Sequence, residues 1–114
     1  MSPPIIVGTI ELAGDPVKET LVVRIRLEDT TMMDGPSEVI AETILRLEPG
    51  TPGPASFRLT VPDNLDEHRQ YALSARGRRQ SSTDFRDCGT VEAFPWSTGV
   101  KAPYHLAMRW FKRD

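Results

Sequence analysis

Short segments in which apolar and polar residues alternate, each closed by proline, glycine, asparagine or aspartate, recur along the whole chain. A period of two puts successive side chains on opposite faces of an extended backbone. Each segment therefore describes a strand with one face in oil and one in water. The clearest example sets Leu21, Val23, Ile25 and Leu27 on one face and Val22, Arg24, Arg26 and Glu28 on the other. Ile6, Gly8, Ile10 and Leu12 alternate with Val7, Thr9 and Glu11 before the turn cluster Gly14-Asp15-Pro16. Phe57, Leu59 and Val61 alternate with Ser56, Arg58 and Thr60 and end at Pro62-Asp63-Asn64. Tyr71, Leu73 and Ala75 form another segment, Val91 to Phe94 a short one, and Leu106, Met108 and Trp110 the last.

Ser37 to Leu47 fits two patterns. Ile40, Ile44 and Leu47 have helical spacing, with Ser37 as an N-cap and Glu42 and Arg46 as an i, i+4 pair. Val39, Ala41, Thr43, Leu45 and Leu47 also alternate, and a strand is consistent with the neighbouring elements. The ten prolines and eight glycines supply the punctuation, most densely in the loop Pro49 to Pro54. About seven strands at spacings of roughly 8–15 residues predict an all-β chain, a single antiparallel β-sandwich over residues 1–114. Asp66 in a turn, followed by Tyr71 at the head of a strand, has the form of a tyrosine corner.

A chain of 114 residues can bury one real core without disulfides, and 39% hydrophobic against 26% charged residues is the balance of a globular protein. The net charge of -2 gives no basic surplus for phosphate contacts, so nucleic acid is not an expected partner. No apolar run approaches the ~20 residues of a membrane span. Met1-Ser2-Pro3-Pro4 lacks the basic start of a secretory signal, and Ile5-Ile6-Val7 is too short for its apolar region. The chain is expected in the cytoplasm as written, unless a leader has been removed.

No nucleophile elbow, zinc-binding helix motif or phosphate loop is present. His68 falls in the charged turn Asp66-Glu67-His68-Arg69 and His105 on the wet face of the last strand, so both read as surface residues. Cys88, the one cysteine, excludes an internal disulfide; it is either a reactive thiol biased by Arg86 and Asp87 or an inert one. Glu28, Asp29 and Asp34 cluster at one loop, and Asp63, Asp66 and Glu67 at another. Oxygen ligands of this kind can hold calcium, but they also belong to ordinary turns. No catalytic, cofactor or metal residue is assigned. Arg76, Arg78 and Arg79, with Arg86 nearby, are either an anion-binding run or the charged guard of an edge strand. Trp110 reads as core. Trp96, in the loop Phe94 to Gly99, is either an exposed anchor for a partner or a cap on the open end of the core.

The ordered series Val7-Gly8-Thr9-Ile10, Val23-Arg24-Ile25-Arg26-Leu27-Glu28-Asp29, Val39-Ile40-Ala41-Glu42, Pro54-Ala55-Ser56-Phe57-Arg58-Leu59, Tyr71-Ala72-Leu73-Ser74-Ala75-Arg76 and Phe94-Pro95-Trp96-Ser97-Thr98-Gly99 resembles the YbaY/YscW family of bacterial envelope lipoproteins. The resemblance implies a sandwich of transthyretin- or immunoglobulin-like build, with a strand over Val39 to Leu47. It implies the company of pilotins, which escort outer-membrane secretins of type III secretion systems, and no catalytic residues. Family members normally begin with a signal peptide and a lipid-bearing cysteine, and the sequence as written shows neither; with such a leader removed, the resemblance implies the periplasm and the outer membrane. The chain also has Gly77 where a large apolar residue is usual, which suggests a shorter or bulged hairpin. The expected function is a non-enzymatic binding or accessory module with a protein partner, its candidate surface carrying Trp96, Arg76, Arg78 and Arg79. The alternative is a sandwich that binds calcium or a small ligand. An enzyme built on Cys88 and a histidine has the least support.

Overall fold

A computed structural model describes residues 5–13, 18–31, 37–50, 54–66, 68–90, 94–96 and 104–111. Every regular element among the described residues is a strand. In chain order they are β1 (Ile5–Ala13), β2 (Leu21–Asp29), β3 (Glu38–Leu47), β4 (Ala55–Thr60), β5 (Tyr71–Arg79), β6 (Cys88–Thr90), β7 (Phe94–Trp96) and β8 (Tyr104–Trp110). The count is eight rather than seven. β6 and β7 have three residues each, too few for a period of two to register. Of the expected short strand at 91–94, only Phe94 lies within the described residues, and it opens β7.

The strands form one continuous hydrogen-bonded path, β3-β2-β5-β6-β8-β1-β4, with β7 paired to β5 beside β6. The two end strands, β3 and β4, approach each other, so the sheet curls into a nearly closed, flattened barrel of 41 × 33 × 19 Å. The expected antiparallel sandwich is corrected in two respects. One sheet runs through the whole path, and β1 and β8 pair in parallel, from Gly8 opposite Tyr104 to Ala13 opposite Arg109. A pairing between the two ends of the chain leaves no trace in local alternation, because period two fixes the face of a residue but not its neighbour.

The alternation itself is followed closely. The buried faces of β2 (Leu21, Val23, Ile25, Leu27), β5 (Leu73, Ala75), β8 (Leu106, Met108), β1 (Ile6, Ile10) and β4 (Phe57, Leu59) form one core. Complete burial of one such aliphatic side chain contributes ~1.5–3 kcal/mol. The ambiguous 37–47 segment is strand β3, and its inner residues Leu45 and Leu47 pack on this core. A register shift interrupts the β2–β3 pairing between Leu27 and Glu28.

Gly77 neither shortens nor bulges its hairpin. β5 runs on to Arg79 with Gly77 opposite Val23 on one side and Cys88 on the other. A Cβ there would stand 2.5 Å from the Cys88 Sγ, so the missing side chain makes room for the inward thiol. The tyrosine corner is present. The Tyr71 hydroxyl donates to the Asp66 carbonyl oxygen at 3.0 Å and ties the head of β5 to the preceding turn.

Candidate functional site

The outer face of β3, β2 and β5 is built by the side chains that alternate away from the core. The pairing register aligns them in rows: Arg46, Val22 and Arg78; Ile44, Arg24 and Arg76; Glu42, Arg26 and Ser74. Five arginines thus meet on three adjacent strands of a chain whose net charge is -2. The run Arg76 to Arg79 lies on β5, which has neighbours on both sides, so these residues do not guard an edge.

The segment between β5 and β6 folds back over this face. Its Phe85 ring lies 4.5 Å from the Arg24 guanidinium and 5.3 Å from that of Arg78, within cation–π range. Arg78 also donates to the Ser82 carbonyl oxygen at 3.0 Å, which fixes the turn that carries Phe85. Arg24, Arg26, Glu28, Ser74, Arg76, Phe85 and Arg86 line a crevice of about 290 Å³. A wider, more open groove adjoins it across Arg76 and Arg86, with Asp84 and Phe111 in its wall. Burial, with the adjacent Arg26 charge adding to it, pushes the Arg24 guanidinium below its ordinary pKa. Its Nε is buried and has no hydrogen-bond partner among the described residues.

The four candidate residues separate into three settings. Arg76 is exposed on the outer face, with its guanidinium 5.3 Å from the Phe111 ring. Arg78 shares that face but is committed to the 79–82 turn. Arg79 alternates to the opposite side. Its guanidinium stands 3.4 Å from the Asp87 carboxylate and 4.4 Å over the Trp110 ring. Asp87 is buried and also accepts the Arg79 backbone N–H at 2.7 Å, so the arginine stabilises a carboxylate inside the fold. Trp110 is half-buried at the margin of the core and not within it.

Trp96 lies in strand β7 rather than in a loop, with 8% of its surface exposed. Its indole N–H donates to the Tyr104 hydroxyl at 3.1 Å, and its ring meets Tyr71 edge-on with centroids 6.1 Å apart. Of the two readings of this residue, the cap on the core is the one observed. Ser97 to Gly99 lie outside the described residues.

The other polar candidates are engaged in local structure. Cys88 is fully buried, and burial pushes its thiol up to about 11, against a smaller opposing effect of Arg79, so it stays protonated at neutral pH. His68 is exposed and its backbone N–H donates to the Asp66 carboxylate at 2.8 Å. His105 is exposed, with its Nδ1 2.8 Å from the Thr9 hydroxyl. In the acidic loops, the Thr31 hydroxyl, the Thr31 backbone N–H at 2.9 Å and Arg69 Nε all favour the charged form of Asp29, and together they hold its carboxyl down at about 2. Asp34 and Glu67 fall outside the described residues. Among the described residues no group of three or more His, Cys, Asp or Glu side chains is placed to hold a metal ion. Among the described residues no helix is long and apolar enough to cross a membrane.

Sequence reasoning reached Arg76, Arg78 and Arg79 as a run with Arg86 nearby. It missed Arg24, Arg26 and Arg46 as their neighbours, Phe85 as the ring over them, and Asp87 as the partner of Arg79. The signal available was the period of two: 24, 26, 76 and 78 are the wet positions of their strands.

No curated protein matches the chain. Among solved structures, the chain is similar to an alternative pilotin from the type II secretion system of Vibrio cholerae. The TM-score is 0.75 at 22% identity, with 94% of each chain covered, a likeness of fold. The family model described as type III secretion system lipoprotein chaperone, YscW, matches residues 3–87, well over half of the sequence. The chain, with its curled sheet and arginine-bearing outer face, therefore belongs to the YscW family of secretion-system lipoprotein chaperones.

Proposed function

We propose that the protein is a pilotin-like chaperone at the bacterial cell envelope: one domain over residues 1–114 that holds a secretion-system protein without catalysing a reaction. The observation that carries this reading is the outer face of β3, β2 and β5, where arginines are stacked with an aromatic ring beside the exposed aliphatic residues Val39 and Ile44. Arginine and aromatic side chains are enriched at the centres of protein interfaces, because each offers a large, stiff contact surface together with directional donors. Arg76 and Arg78 are the candidate residues from the sequence that belong to this surface. Family membership and the pilotin-like fold support a partner in secretion, and the resemblance read from the sequence implies that this partner is an outer-membrane secretin. The calcium reading has less support, since Asp29 and Asp66 already accept hydrogen bonds from Thr31, Arg69 and His68.

The test is genetic and biochemical. Deleting the gene should lower the amount of detergent-resistant secretin multimer in the outer membrane. Wild-type protein and Cys88→Ser should both restore it, since the thiol takes no part. Multimer levels unchanged by the deletion would contradict the proposal.

A further inference from the structure

We infer that the crevice between β2, β5 and the Phe85 turn is a carboxylate-binding site, and that the partner segment it receives is an extended acidic stretch of polypeptide with Asp or Glu at alternate positions. This rests on the accessory role proposed above and assigns a chemistry to the partner.

Three observations meet here. The first is unbalanced charge. The ion pairs among the described residues engage Arg26 with Glu42, Arg69 with Asp29 and Arg79 with Asp87, and none engages Arg24, Arg76 or Arg86. Arg24 and Arg76 stand directly opposite each other in the β2–β5 register. Like charges so placed destabilise a sheet, and an anion between them removes the repulsion. The second is a recessed donor. Arg24 Nε is covered by the fold without a hydrogen-bond partner, and its guanidinium carbon lies 4.5 Å from the centroid of the Phe85 ring. The terminal N–H groups of a guanidinium held against a ring remain for a carboxylate, which they grip with two parallel hydrogen bonds.

The third is spacing. Same-face residues on a strand repeat every ~6.6–7 Å, and neighbouring strands lie ~4.8 Å apart. Arg24 and Arg26 on β2, and Arg76 and Arg78 on β5, carry that lattice on the outer face, with Arg24 and Arg76 as its uncommitted points, while Arg26 already holds Glu42 and Arg78 the 79–82 turn. An extended chain with acids two residues apart repeats at the same distance. A flat anionic membrane fits less well, because the site is a recess.

The probe is an eight-residue fluorescein-labelled peptide alternating glutamate with threonine and valine, titrated with the full chain and read by fluorescence anisotropy. Saturable binding that weakens with added salt is expected. The same peptide with glutamine for glutamate should not bind. Arg24→Gln combined with Arg76→Gln should weaken binding at least tenfold. Arg76→Gln alone, at an exposed position, should weaken it several-fold with no loss of fold by circular dichroism. Arg58→Gln, on the outer face of β4, should leave it unchanged.

Equal binding of the glutamine peptide, or binding indifferent to both arginine substitutions, overturns the assignment. So does arginine-dependent binding to phosphatidylglycerol vesicles with no binding to the peptide. If the peptide fails while the protein still raises secretin assembly, the acidic ligand is wrong and the accessory role stands. If the peptide binds through Arg24 and Arg76 while assembly is indifferent to the protein, the site stands and its partner lies elsewhere.

Discussion

At the scale of single residues, polar side chains that look available in the sequence are mostly spoken for. Asp29 is the clearest case. The Thr31 hydroxyl, the Thr31 backbone N–H and Arg69 favour its charged form and hold its pKa at about 2. A carboxyl depressed in the folded chain favours folding above its ordinary value of ~3.9, and that advantage disappears as pH falls through the folded value. Wild-type protein should therefore lose stability between about pH 4 and about pH 2. Asp29→Asn should be less stable at neutral pH, and its difference from wild type should close over that interval. Urea midpoints measured from pH 2 to 7 check this, and a difference that stays constant across the interval would contradict it. The sequence marked Asp29 as a possible metal ligand because it shows a carboxylate near other carboxylates. Arg69, forty residues away, is invisible to that reasoning. Cys88 was left open between reactive and inert for a similar reason. Flanking Arg86 and Asp87 suggested opposed influences, whereas the decisive factor is complete burial against Gly77.

At the scale of elements, what alternation can encode was legible and what it cannot encode was not. The inner and outer faces of β1, β2, β4, β5 and β8 follow from period two. β3 needed its neighbours to decide between helix and strand, and β6 and β7 are too short to show a period. Trp96 belongs to that second group. Read as loop, it seemed free to face outward, but as the last residue of β7 it pairs with Tyr71 and turns inward. The corner formed by Tyr71 was readable because its chemistry is local: a tyrosine at a strand head and a turn carbonyl five residues upstream. Tyr71→Phe keeps the ring against Trp96 and removes that one hydrogen bond. The Asp66 carbonyl belongs to an exposed residue and can turn to water, so the loss should be ~0.5–1.5 kcal/mol. Thermal unfolding should show a melting temperature lower by several degrees with the strand signal intact. An unchanged melting temperature would mean that the corner does not hold β5 to its turn.

At the scale of the whole molecule, net charge concealed the feature that matters. A balance of -2 suggests a neutral surface, yet the sheet gathers Arg24, Arg26, Arg46, Arg76 and Arg78 on one side. Charge totals average over faces, and only pairing register assigns a residue to a face beside particular neighbours. Closure of the sheet works in the same direction. By turning the aliphatic faces of β1, β2, β3, β4, β5 and β8 into one core, it leaves the outer surface of β2 and β5 to carry the polar residues that a partner would meet. The claim that this surface holds the partner can be read directly by arginine-specific labelling. Phenylglyoxal would be applied to the free protein and to its complex with the co-expressed secretin, and modified sites quantified by mass spectrometry. Arg76 and Arg86, both exposed, should be labelled in the free protein and protected in the complex, with Arg58 and Arg109 labelled alike in both. Equal labelling of Arg76 and Arg86 with and without the partner would place the interface elsewhere on the molecule.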